Sequence, residues 1–157
     1  MLAIVAAVAG SAGSTPMIND ITTNPDDPPG FRAAQSDDAG TGRDLSYPGA
    51  AFASEQRKGY PDLAPIRVKG TPASVYRRCV ATAQGLGWRL TLEDPATGGF
   101  EAIDVTRLFR FVDDIVVRVR DAGDATVVDV RSKSRDGRGD MGANAARIRA
   151  FRDALGS

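Results

Sequence analysis

Histidine is absent from the 157 residues, cysteine occurs once and lysine only three times. The missing histidine removes the commonest general base, the commonest metal ligand and the usual pH switch together. A single thiol, Cys79, excludes an intrachain disulfide and leaves the redox compartment open. Long apolar runs are missing too. The stretch Leu2–Ala9 is wholly apolar, but a spanning helix needs roughly 20 such residues. No basic segment precedes it, as a signal peptide would require. It reads as the tail of a longer membrane segment, with an ordinary buried or frayed terminus as the alternative. On the first reading, residues 1–16 are an apolar remnant that anchors the protein at the extracytoplasmic (periplasmic) face of a membrane.

Net charge is also absent, but the zero is a balance of unlike parts. Residues 1–65 hold 4 Lys/Arg against 8 Asp/Glu, and residues 66–157 hold 16 against 12. An acidic leading part and a basic following part attract each other. Neither is charged strongly enough to indicate nucleic acid, which calls for a concentrated basic patch. Arginine outnumbers lysine 17 to 3, a ratio better explained by codon usage than by phosphate binding.

Seven of the nine prolines fall within residues 10–65. Asn24-Pro25-Asp26-Asp27-Pro28-Pro29-Gly30 suits neither a helix nor a central strand, because proline fixes φ, removes a donor and extends its predecessor. Residues 17–64 therefore read as an extended arm. Ile18, Ile21, Phe31, Leu45, Tyr47, Phe52, Tyr60 and Leu63 recur along it, more apolar anchors than a free linker needs. The arm is expected to lie on a surface, its own or a partner's.

A folded domain is expected over residues 65–157. Ile66-Arg67-Val68 alternates as a short strand. Thr71 and Pro72 open a helix as N-cap and first helical residue, and Val75, Cys79, Ala83 and Leu86 share one helical face. Strands follow around Trp88–Leu92 and Phe100–Thr106, then an irregular aromatic stretch to Val112. The next strand has Ile115, Val117 and Val119 on its inner face, and the last has Val128 and Val130. Asp140 caps a final helix with the stripe Met141, Ala145, Ile148, Phe151 and Leu155. The order is β-α-β-β-β-β-α. It predicts an α+β two-layer sandwich, a mainly antiparallel four- to five-stranded sheet with two helices on one face. The other face is left for water, the arm or a partner. Arg118, Arg120, Asp129, Arg131 and Lys133 point to it. With the arm aromatics Phe31, Tyr47 and Tyr60 they make the candidate partner surface, cross-strand charge pairing being the simpler explanation.

Several spaced segments carry a family resemblance. They are Ile18-Asn19-Asp20-Ile21-Thr22-Thr23, Asp26-Asp27-Pro28-Pro29, Tyr47-Pro48-Gly49, Tyr60-Pro61-Asp62-Leu63, Gly87-Trp88, Glu101-Ala102, Asp113-Asp114, Val116–Arg120, Asp129–Arg135, and Asp140, Gly142, Asn144-Ala145, Arg147-Ile148 and Phe151. Over residues 17–155 the chain resembles the domain-of-unknown-function family numbered 1499. Leu108-Phe109-Arg110 departs from it, since a bulkier aromatic segment is expected before the Asp pair. The resemblance implies a fold and makes the arm part of the domain. It implies apolar segments upstream, and no reaction, cofactor or site residue.

No catalytic, cofactor or metal site emerges from the residues. Asp113 and Asp114 are adjacent on a strand and point to opposite faces. Ser132 and Ser134 share a face that Lys133 does not, which spoils a Ser–Lys pair. Asp136–Asp140 lacks the remaining ligands of a calcium loop. Cys79 belongs to a core. The leading expectation is a non-enzymatic, membrane-tethered interaction module, an accessory subunit with a protein partner in or at a membrane. One alternative is a small-molecule or lipid binder with a cavity between helices and sheet, lined by Trp88, Phe100 and Phe109. Another is a histidine-free carboxylate enzyme using Asp113, Asp114 or Glu101.

Overall fold

The structure, a computed structural model, describes residues 14–36 and 42–156. Apolar alternation builds one antiparallel sheet from β1 (Asp20–Thr22), β2 (Ile66–Val68), β3 (Arg89–Asp94), β4 (Gly99–Val105), β5 (Val112–Asp121) and β6 (Thr126–Ser134). Its order is β1-β6-β5-β4-β3. Strand β6 is long enough for its outer edge to be shared. β1 pairs with Arg131–Lys133, and β2 with Thr126–Val128. The sheet thus has six strands, one of them drawn from the expected arm.

Two helices cover one face, as the α+β reading predicts. In α3 (Pro72–Gly85), Thr71 Oγ1 accepts from the Ser74 amide at 3.3 Å, and Val75, Cys79 and Ala83 are buried. In α4 (Ala143–Leu155), Ala145, Ile148, Phe151 and Leu155 are buried. Asp140 accepts from the Gly142 and Asn144 amides, both at 2.8 Å. Met141, expected in that stripe, is instead exposed ahead of the helix at φ 52°. Trp88 stacks on Phe151 at 5.1 Å, and Tyr76 meets Phe100 edge-on. At the β3–β4 turn only glycine fits: Gly98 has φ +77°, and a Cβ there would lie 2.5 Å from the Val119 carbonyl oxygen.

The expected extended arm is largely a structural layer. Residues 50–59, flanked by Pro48-Gly49 and Pro61, form helix α2 (Ala50–Gly59). The Gln56 carboxamide satisfies both the N–H (2.9 Å) and the C=O (2.7 Å) of Thr22, closing the outer edge of β1. Ile18, Ile21, Tyr60 and Leu63 enter the helix-side core. Residues 24–36 and 42–47 lie on the opposite sheet face, where Phe31, Ala34, Leu45 and Val116 form a second, small core. Buried Glu101 accepts from the amides of Arg32, Ala33 and Ala34 at the start of the short helix α1 (Ala33–Ser36).

Buried Asp129 shows how charge holds this layer. Burial alone would raise its carboxyl, but hydrogen bonds from Arg120 and Arg118 outweigh that and lower it. A carboxylate lowered by folding stabilises the fold above its unfolded value of about 3.9, and the contribution fades as pH falls through the folded value. Urea midpoints are therefore expected to drop as pH goes below about 4. Asp129→Asn is expected to be less stable at neutral pH and to show a shallower acid limb. An unchanged acid limb in that variant contradicts the assignment.

Candidate functional site

The surface expected to receive a partner is already occupied. Arg131 and Asp129 are buried, and Phe31 and Tyr60 lie in the two cores. Arg118 and Arg120 both bind Asp129, at 2.8 and 2.7 Å. Lys133 reaches Asp20 at 3.3 Å. Tyr47 flanks the Arg131 guanidinium, its ring centroid 5.6 Å away. The arm, one of the three occupants expected for this face, covers the five sheet residues, with Arg118 and Arg120 still partly exposed; Phe31 and Tyr47 belong to the covering arm, and Tyr60 packs in the helix-side core. Strand alternation placed the five sheet side chains on the right face, but the chain's own acidic arm covers it.

The carboxylates proposed for catalysis are held apart. Asp113 faces α4 and binds Arg147 at 2.6 Å. Asp114 lies on the opposite face with Arg135 and Arg43, at 2.7 and 2.9 Å. Arg147 also holds Asp104, Ser132 and Asn144, and Asn144 donates to Ser134 at 2.8 Å. These groups satisfy one another, so none of the three carboxylates Asp104, Asp113 and Asp114 is left without an arginine. Burial pushes the Cys79 thiol up to about 12, so it carries no thiolate at neutral pH. Among the described residues no group of three acidic or thiol side chains is arranged for a metal. Trp88 and Phe100 pack within the core and Phe109 lies on the surface, so these three residues line no shared cavity.

What remains unexplained by packing is one end of the sheet. Strands β4 and β5 meet there in a hairpin whose closure is well made. The Thr106 amide donates to the Phe111 carbonyl and the Phe111 amide to Thr106 Oγ1, both at 2.9 Å. The Arg110 amide donates back to the Thr106 carbonyl, with Arg110 at φ 54°. This ordered loop turns its apolar side chains outward. Leu108 is 81 % exposed, Phe109 65 % and Phe111 51 %, and the two phenylalanine rings stack at 5.6 Å.

Neighbouring segments add to it. The end of β6 and the start of β1 lie beside this hairpin, since Ser134 pairs with Asp113 and Asp20 with Lys133. Met17, 78 % exposed, touches Gly139, and Met141 is 91 % exposed at the entry to α4. With Val105, six of the seven exposed large apolar side chains among the described residues sit at this end. The seventh, Leu86, ends α3 just before β3 begins opposite Ile103. Arg107, Arg110 and Arg138 are exposed here and form no ion pair among the described residues. Soluble domains rarely concentrate apolar surface in this way without a use for it.

The sequence marks this stretch as irregular and as a departure from the family pattern, and predicts Phe109 in a cavity rather than on a tip. The tip's signal was the stretch Arg107-Leu108-Phe109-Arg110-Phe111, which places apolar and cationic residues where a hairpin ordinarily carries Gly, Asn or Asp. Because these side chains support no core, the double variant Leu108→Ser/Phe109→Ser is expected to keep its unfolding free energy in urea within about 0.5 kcal/mol. A loss of several times that would make the tip a packing element instead.

The model of the family described as "protein of unknown function" (DUF1499) matches residues 20–155, from the first residue of β1 to the last of α4. No curated protein matches the chain. With nearly the whole of it matched, arm and tip included, this chain is a member of the DUF1499 family.

Proposed function

We propose that the protein is a non-enzymatic interaction module that works at the extracytoplasmic face of a membrane, as an accessory to a membrane protein assembly. The observation that carries this is the apolar tip. The described chain enters at the same end of the fold, through Ser14–Met17, with Thr15 near Gly142 and Pro16 against Gly59. In the sequence this entry follows the apolar run Leu2–Ala9, which lies outside the described residues. No helix among the described residues is long and apolar enough to cross a membrane.

The non-enzymatic part of the reading rests on how the polar groups are used. The buried carboxylates Asp20, Glu101, Asp113, Asp114 and Asp129 each bind an arginine or backbone amides. The test is purification of the tagged full chain from membranes of its own source, with mass spectrometry of what accompanies it. A reproducible membrane protein partner is the expected result. Recovery of the full chain from the soluble fraction, alone and monomeric, would contradict the proposal.

A further inference from the structure

We infer that the tip is a lipid-inserting device. Leu108 and Phe109 enter the interfacial layer of an anionic bilayer, while Arg107, Arg110 and Arg138 engage the phosphates of its headgroups. The inference rests on the membrane reading above and gives it a contact surface.

Three observations carry it. The first is shape: Leu108 and Phe109 are the outermost apolar residues of a closed, hydrogen-bonded hairpin. They project without further rearrangement, so little ordering entropy opposes their insertion. The second is composition. Apolar side chains interleaved with arginine are what an interfacial segment needs, the apolar groups entering the acyl boundary and the cations staying at the headgroups. Among the described residues the tip offers three exposed arginines against one exposed carboxylate, Asp136. Asp140, nearby, is engaged by the amides of Gly142 and Asn144. The third is placement. The first described residues, Ser14–Met17, enter the fold at this end, and the apolar run Leu2–Ala9 precedes them in the sequence. A short apolar leader gives weak attachment by itself, and stable anchoring generally takes a second signal. The tip supplies that signal from the folded part of the chain.

A protein groove is the competing occupant of such a surface. It would be expected to meet a patch ringed by carboxylates as well as arginines, since protein rims carry both signs. The one-sided charge here suits a surface that is negative throughout.

The experiment uses the full chain carrying Leu108→Trp, with the unmodified chain as reference. The natural Trp88 is buried and stacked on Phe151, so it contributes the same background to both. Each is titrated with vesicles of phosphatidylcholine alone, or with phosphatidylglycerol added, and with brominated acyl chains as quenchers. With phosphatidylglycerol, the introduced indole is expected to shift to the blue and to be quenched, with the shift largely lost in phosphatidylcholine alone. Arg107→Gln, Arg110→Gln and Arg138→Gln are each expected to weaken binding by roughly fivefold.

If the chain pellets with vesicles while the introduced indole stays water-exposed and unquenched, lipid insertion is overturned and membrane attachment survives. If the chain neither pellets nor is quenched, lipid insertion is overturned, while the membrane reading is decided by the co-purification above. Equal quenching with and without phosphatidylglycerol overturns the assignment to anionic lipid. An indole that is shielded in native membranes but not by vesicles identifies a protein contact and likewise overturns the proposal.

Discussion

The fold of this protein turns on one buried guanidinium. Arg131, in the middle of β6, forms a two-pronged bond to Asp20 of β1 with both contacts at 2.8 Å, and both residues are buried. Its remaining donors reach the carbonyls of Pro29 at 3.1 Å and Leu45 at 2.9 Å. The ring of Phe31 lies 4.8 Å from the guanidinium carbon. One side chain thereby fixes the edge strand and two separate points of the arm. A buried ion pair gains little over a well-packed apolar pair, but removing one partner alone costs about 3–5 kcal/mol, because the other charge is left stranded. The arm's path is therefore specified more sharply than apolar contact alone would specify it.

This arrangement decides what the second face of the sheet can do. A mixed row of arginines and aspartates on an uncovered sheet is an inviting docking surface, but here each charge has an internal partner. Arg118 and Arg120 converge on Asp129, Arg135 and Arg43 on Asp114, and the Glu101 carboxylate caps the start of α1. Pairing of this kind leaves little free charge on the face that the arm covers. The unused chemistry is pushed to the end of the sheet, where apolar side chains and unpaired arginines stand together.

Much of the fold was legible in the sequence. The period-two pattern of β5 and β6 placed Ile115, Val117, Val119, Val128 and Val130 inside. It also set Asp113 against Asp114, and Lys133 against Ser132 and Ser134, on opposite faces. The stripe of α3 and the cap at Asp140 were equally plain. Three features were not. A three-residue strand such as β1 is too short to show a period. Helix α2 hid in a segment whose flanking prolines suggested extension, although Ala50-Ala51-Phe52-Ala53-Ser54-Glu55-Gln56 holds several good helix formers. Alternation also says which face Arg131 points to, but not what lies over that face. The tip escaped for a related reason: residues 105–111 carry no period, so an apolar stretch there reads as core until its exposure is known.

The central claim is that the arm face is internal and the tip is the working surface. Hydrogen–deuterium exchange of the full chain, with and without vesicles containing phosphatidylglycerol, tests it most directly. The account predicts slowed exchange confined to the β4–β5 hairpin, the 135–142 loop and the segment entering β1, with residues 24–47 unchanged. Slowed exchange across residues 24–47 with an unaffected hairpin would contradict it and would return the arm face to the role of docking surface.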